Sequence, residues 1–312
     1  MKIVFMGTPE FSVPALESLY SSGIDISLVI TQQDKPKGRG KKMQYTPVKQ
    51  KALDLGLQVL QPNNINHESV ISLLNEINPD FIIVVAYGQI LRKDILELPK
   101  YHCLNIHASL LPKYRGAAPI NWVLLNGERE TGITIMKMEE GLDTGPMILK
   151  ESFLIEDNDD AITLNHKLSQ HGADLILQAV ESIVHNSAEF IQQDHSKSSY
   201  APMLYKGLGN INWEMDVKDI LNKIRGLKPW PSAYTFYKGE LIKIHQAQGI
   251  EKSHELPYGM ITDVNKEGVI VACKSGFITI KSLQISGKRQ MSTEEFIRGN
   301  NIEKGIILGR EG

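Results

Sequence analysis

Cysteine is scarce in this chain: two residues in 312, Cys103 and Cys273, far apart in the sequence. They form no disulfide framework and match no metal-ligand spacing, so a reduced, cytoplasmic protein is expected. Also missing is any run approaching the roughly 18 apolar residues that a membrane helix needs. The apolar run 81–86 has the length of a buried strand. The start, Met1-Lys2-Ile3-Val4-Phe5-Met6-Gly7, enters strand-like sequence directly, without a hydrophobic leader pattern or an Arg-rich transit segment. The nine histidines are scattered and no H-E-x-x-H occurs, so no metal is expected. The turn Gly7-Thr8-Pro9 holds one glycine, and Pro9 lacks an N–H that a phosphate could use. Without G-x-G-x-x-G there, a nicotinamide cofactor is not expected.

What is present is ordinary globular composition, 42% hydrophobic and 22% charged, with a net charge of −2. That charge is uneven. Residues 1–205 carry 18 Lys and Arg against 24 Asp and Glu, and residues 206–312 carry 16 against 12. The second part is therefore the more plausible face for an anionic partner, set against the plainer alternative of a solvated surface.

The first half alternates short apolar runs with helix-like segments. Strands are expected at 2–6, 26–31, 81–86, 102–107 and 133–138, and helices at 10–22, 48–55, 67–77 and 161–185. Such alternation predicts an α/β fold with a doubly wound, Rossmann-like, mostly parallel sheet. Polarity rises through 192–199, which reads as linker. A helix follows at 217–225, then Pro229-Trp230-Pro231, then five short strands between 233 and 283. Short strands separated by glycine and polar turns suggest a small OB-like β-barrel. The expected organisation is a catalytic domain at 1–190, a linker at 191–207 and a barrel domain at 208–312.

Three segments carry candidate chemistry. The stretch 34–42, Asp-Lys-Pro-Lys-Gly-Arg-Gly-Lys-Lys, has five basic side chains against one acid and fails the Walker pattern. It reads either as a solvated loop or as an arm whose Arg39, Lys41 and Lys42 contact nucleic-acid phosphates. The run Cys103-Leu104-Asn105-Ile106-His107 ends a strand with Asn and His two apart, hence on one face. Ligands of open α/β sheets sit at the carboxyl ends of the strands, so this pair can meet a substrate. Gly141-Leu142-Asp143-Thr144-Gly145 brackets a carboxylate with glycines, which a plain turn would also do. Together Asn105, His107 and Asp143 suit acyl transfer to an amine: donors for an oxyanion, and an Asp–His couple for the amine proton. Ser109 as a hydrolytic nucleophile is disfavoured because no G-x-S-x-G elbow surrounds it.

Asn105-x-His107-x-Ser109-Leu110-Leu111-Pro112-x-Tyr114-Arg115-Gly116, with the 141–145 loop, resembles the folate-dependent formyltransferases. The resemblance implies 10-formyltetrahydrofolate as donor and puts the family's catalytic Asn, His and Asp on Asn105, His107 and Asp143. It also implies folate contact along Ser109, Leu110, Leu111 and Pro112, and near residues 81–88. Four further stretches are similar to the branch of the family that acts on tRNA: Val4-Phe5-Met6-Gly7-Thr8-Pro9-Glu10-Phe11, Thr31-Gln32-x-Asp34-x-Pro36-x-Gly38-Arg39-Gly40-Lys41-Lys42, Arg115-Gly116-Ala117-Ala118-Pro119-Ile120 and Ile224-Arg225-Gly226-x-x-Pro229-Trp230-Pro231-x-Ala233. That similarity spans nearly the whole chain. It implies the α-amine of initiator methionyl-tRNA as acceptor, a part in translation initiation, and a tRNA-binding C-terminal domain. Met203 departs from the family pattern, in which Lys is more usual. Nothing demands more than a monomer. The rival readings are a formyltransferase for a small amine, such as an amino-sugar nucleotide or glycinamide ribonucleotide, and a non-catalytic RNA-binding relative.

Overall fold

β-Branched and aromatic runs buried on both faces set the architecture of the first half. The computed structural model describes residues 1–37 and 42–309. These divide into two units: Met1–Pro119, Glu130–Leu154 and Asn165–Ala201 in the first, and Ile120–Arg129, Ile155–Leu164 and the chain from Pro202 onward in the second.

The first unit is built on seven strands: β1 (Lys2–Gly7), β2 (Asp25–Ile30), β3 (Val59–Leu60), β4 (Phe81–Val85), β5 (His102–His107), β6 (Glu130–Lys137) and β7 (Met147–Leu154). Their order across the sheet is β7-β6-β5-β4-β1-β2-β3. Pairing is parallel from β3 through β5 and antiparallel at β5/β6 and β6/β7. The doubly wound, mostly parallel expectation is met. One face presents Val4, Met6, Leu28, Ile30, Ile82 and Val84 to Val70 and Leu74 of the helix Glu68–Ile77 and to Ile95 and Leu96. The alternate residues Ile3, Phe5, Phe81 and Ile83 are equally buried on the other face. Two-sided burial explains why these strands read as unbroken apolar runs.

Two expectations change. The two ends of the basic stretch pair as short antiparallel strands, Lys35–Lys37 against Lys42–Gln44, where a loop was expected. Pro36 fits there because this two-stranded sheet leaves one side of each strand unpaired. The polar run 192–199 also lies within the first unit. Ile191 bridges to Met147, Tyr200–Ala201 pairs in parallel with Arg115–Gly116, and Gln193 is buried. Its polarity is taken up by internal hydrogen bonds, a use that composition cannot tell from solvation.

The second unit centres on β8 (Ala233–Tyr237), β9 (Glu240–Glu251), β10 (Ile261–Asn265), β11 (Gly268–Cys273) and β12 (Gly276–Ile285), in the antiparallel order β8-β9-β12-β11-β10. The segment 305–309 bonds to both ends of this path. Ile261 N–H donates to the Ile306 carbonyl and its own carbonyl accepts the Gly305 N–H, Leu308 N–H reaches the Gly259 carbonyl, and Gly309 N–H reaches that of Phe236 at 2.9 Å. The barrel-like wrap is thus completed by terminal chain, around Ile242, Ile244, Val271, Ile278, Ile280 and Phe296.

Asp160 begins the helix Ala161–Val184. Its Oδ1 accepts N–H bonds from Ile162 at 2.9 Å and Thr163 at 3.0 Å, and its Oδ2 accepts from Lys228 Nζ at 2.9 Å. Burial alone would raise its pKa, but the Lys228 bond and charge and the two backbone donors outweigh it and hold the carboxyl below its usual value. Asp160→Ala should therefore cost about 1–2 kcal/mol, as for other helix caps. A depressed folded pKa contributes stability that is complete above the unfolded value of about 3.9 and fades as pH falls through the folded one. Thermal melts should then show a wild-type advantage at pH 7 that shrinks below pH 4. An advantage unchanged between pH 7 and pH 3 would contradict this.

Candidate active site

Strand β5 delivers Asn105 and His107 to the carboxyl edge of the sheet. Asn105 sits opposite Met136 and His107 opposite Thr134 of β6, and both side chains are buried, Asn105 with 9% exposure. The chain then turns sharply. Thr134 Oγ1 donates to the Ser109 carbonyl at 2.7 Å and accepts the Leu111 N–H at 3.2 Å. Ser109 Oγ donates to the Lys113 carbonyl at 2.7 Å, and the Leu111–Pro112 peptide is cis. Ser109 and Leu111 are fully buried, so within the stretch expected to contact folate it is Leu110 and Pro112 that keep accessible side-chain surface.

This turn returns the backbone over His107. Tyr114, at φ 58°, offers its carbonyl to His107 Nε2 at 2.9 Å. A carbonyl only accepts, so Nε2 carries the hydrogen and Nδ1 is the atom left in the neutral ring to take a proton. Nδ1 faces Asp143 Oδ2 at 3.7 Å, beyond a direct hydrogen bond. The same Oδ2 accepts the Gly116 N–H at 2.8 Å. Asp143 itself stands at φ 50°, a left-handed conformation that Asp tolerates better than most residues. His107 and Asp143 are thus brought together, with Asn105 two residues back on the same strand face.

Several contributors carried no clear sequence signal. Arg115 is buried and bonds through Nε and a terminal nitrogen to Gln193 Oε1 at 3.1 and 2.7 Å. Ser199 accepts the Tyr114 N–H on its Oγ at 2.9 Å and the Arg115 N–H on its carbonyl at 2.8 Å. Arg115 and Gly116 stood inside a quoted motif, whereas Gln193 and Ser199 stood in the run read as linker.

A cleft of about 540 Å³ opens at the carboxyl ends of β1 and β2, lined by Thr8, Glu10, Gln32, Gln33, Lys35 and Tyr45 among others. It adjoins the basic hairpin and includes none of Asn105, His107 and Asp143. Arg39 and Lys41 lie outside the described residues, and Lys42 is described only through its backbone. Burial pushes the Cys103 thiol upward and does the same to Cys273, so neither supplies a thiolate near neutrality. Among the described residues no group of three His, Cys, Asp or Glu side chains could hold a metal, and no helix is long and apolar enough to cross a membrane.

The formyl transferase family model matches residues 1–180, and the model for the formyl transferase C-terminal domain matches 203–301. The chain belongs to the formyl transferase family. It is 52% identical to the methionyl-tRNA formyltransferase of Clostridium tetani, over 99% of each chain. It is 50% identical to that of Alkaliphilus oremlandii, over 99% of this chain and 100% of the other. Among solved structures, the N-formyltransferase of Helicobacter canadensis, in complex with folinic acid and dTDP-3-aminofucose, shares the fold. Its TM-score is 0.66 at 22% identity, over 93% of this chain and 100% of the other. HypX of Aquifex aeolicus with tetrahydrofolic acid matches at TM-score 0.65 and 16% identity, over 98% of this chain and 50% of that one.

Proposed function

We propose that this chain transfers the formyl group of 10-formyltetrahydrofolate to the α-amine of methionine on initiator tRNA, in the cytoplasm and as a monomer. The chemistry rests on one observation: His107, anchored through Nε2 to the Tyr114 carbonyl, turns Nδ1 toward Asp143, with Asn105 two residues back on the same strand. The acceptor rests on near-full-length identity of about half to relatives named for methionyl-tRNA.

The amine nitrogen attacks the formyl carbon, a new C–N bond forms, and the carbonyl oxygen becomes an oxyanion. Asn105 Nδ2–H donates to that oxygen, an interaction stronger in the transition state than in the ground state. His107 Nδ1 takes the proton released by the amine, and the Asp143 carboxylate stabilises the resulting imidazolium. The bond from the formyl carbon to N10 of the folate then breaks, and the proton passes from His107 to N10. Leu110 and Pro112 give the folate an apolar edge, with Ser109 and Leu111 fixing the turn beneath them. The cleft beside the hairpin has room for the acceptor end, with Arg39, Lys41 and Lys42 meeting phosphates. Residues 208–312 form the tRNA-binding domain, and the catalytic part extends past residue 190 to take in the stretch 192–199 that packs with the first unit.

The test is a formylation assay comparing charged initiator tRNA, charged elongator tRNA and free methionine. Initiator tRNA should be strongly preferred, and its binding should weaken steeply with added salt as phosphate contacts are screened. Activity on an amino-sugar nucleotide with a flat salt profile would instead establish the small-amine reading.

A further inference from the structure

Gln193 follows Asp143 by 50 residues, yet its side chain is spent entirely on the mount of that carboxylate. Nε2 donates to the Asp143 carbonyl at 2.9 Å and to the Gly145 carbonyl at 2.7 Å. Oε1 accepts from Arg115 Nε at 3.1 Å and from a terminal Arg115 nitrogen at 2.7 Å. Two donors and two acceptor positions are all that a primary amide has, so every one is used. Gln193 is 5% exposed and Arg115 3%, so water does not easily replace these bonds. The Arg115 guanidinium also meets His195 Nδ1 at 3.1 Å.

The two partners of Gln193 are the two halves of the carboxylate's support. One is the backbone that carries Asp143, at a positive φ and beside Leu142, which is 56% exposed. The other is Arg115, whose neighbour Gly116 gives its N–H to Asp143 Oδ2. Chain flanking Gln193 is itself tied down, by the Ile191–Met147 bridge before it and the Ser199 bonds after it.

The geometry points to Gln193 as the positioning residue that holds Asp143 against His107, a role that rests on the formyl-transfer reading above. Without its two donors, the 143–145 backbone is free to relax, and the 3.7 Å approach of Oδ2 to Nδ1 is no longer fixed. Misplacement of a catalytic group by about 1 Å is enough to cost roughly a hundredfold, and a partial shift costs less.

Gln193→Glu separates this role from general packing, because it keeps the shape and the acceptors for Arg115 while removing both donors. Gln193→Met removes all four bonds at similar length and serves if the first variant does not fold. Turnover with saturating formyl folate and charged tRNA should fall roughly 10–50-fold, with each KM within about threefold of wild type. The pH profile of kcat should change as well. In an Asp143→Asn background the same substitution should cost less than about twofold, since it acts through a group already disabled. Wild-type turnover in Gln193→Glu, or a full and additive loss in the Asp143→Asn background, would overturn the assignment. A wild-type protein that formylates no charged tRNA would overturn the functional reading instead, and that control is run first.

Discussion

Replacing Asn105 with alanine is expected to lower the turnover of formyl transfer by roughly 10²–10³-fold, the usual effect of losing one oxyanion donor. Thermal stability should hardly change. The Asn105 side chain has no hydrogen-bond partner among the described residues, while its backbone remains in register between Val84 of β4 and Met136 of β6. Its removal therefore orphans nothing. His107→Ala is a poorer test, because it also removes the buried hydrogen bond to the Tyr114 carbonyl, at a cost of about 0.5–1.5 kcal/mol. Loss of activity there mixes chemistry with folding. Asn105→Asp adds a second diagnosis, since it keeps the shape but puts an acceptor where the oxyanion forms. It should be at least as damaging as alanine. The measurement is kcat at saturating formyl folate and charged initiator tRNA, with melting temperature in parallel. An Asn105→Ala protein within about threefold of wild-type kcat would remove Asn105 from the chemistry.

This site was legible in proportion to how local its signals are. Asn105 and His107 could be paired because strand periodicity puts residues two apart on one face, and β5 keeps that geometry to its end. Asp143 stood out through its flanking glycines. Gln193 and Ser199 did not, because they reach Asp143, Arg115 and Tyr114 across 50 to 85 residues, and nothing in their own neighbourhood records the contact. The same reasoning explains the fold. The central strands announce themselves by burial on both faces. Strand β7, Met147–Leu154, lies at the sheet edge with Lys150, Glu151 and Ser152 in its middle, and its mixed pattern gave no strand signal. The part of 305–309 in wrapping the second sheet is likewise a long-range pairing with no local signature.

Gly116→Ala should do more harm than its single methyl group suggests, because two independent constraints meet at that residue. Its φ of 112° belongs to a region that side chains other than glycine's rarely enter, which costs about 1–3 kcal/mol. An added Cβ would also stand 2.9 Å from the Ala201 carbonyl oxygen. That oxygen accepts the N–H groups of Ala117 at 2.9 Å and Ala118 at 3.2 Å, so it cannot retreat without breaking them. Overpacking of this kind adds about 1–3 kcal/mol. The combined loss, roughly 2–6 kcal/mol, corresponds to a fall in melting temperature of about 4–24 °C for a unit of this size. Protein that remains folded should turn over about tenfold more slowly or worse, since the displaced Gly116 N–H no longer fixes Asp143 Oδ2. Gly23→Ala supplies the control: Gly23 has φ 79° but no atom within 4 Å of an added Cβ, so it carries the backbone cost alone. The difference between the two variants measures the contact with Ala201. If both lose the same stability and both keep full turnover, neither that contact nor the Gly116 bond to Asp143 matters to the reaction.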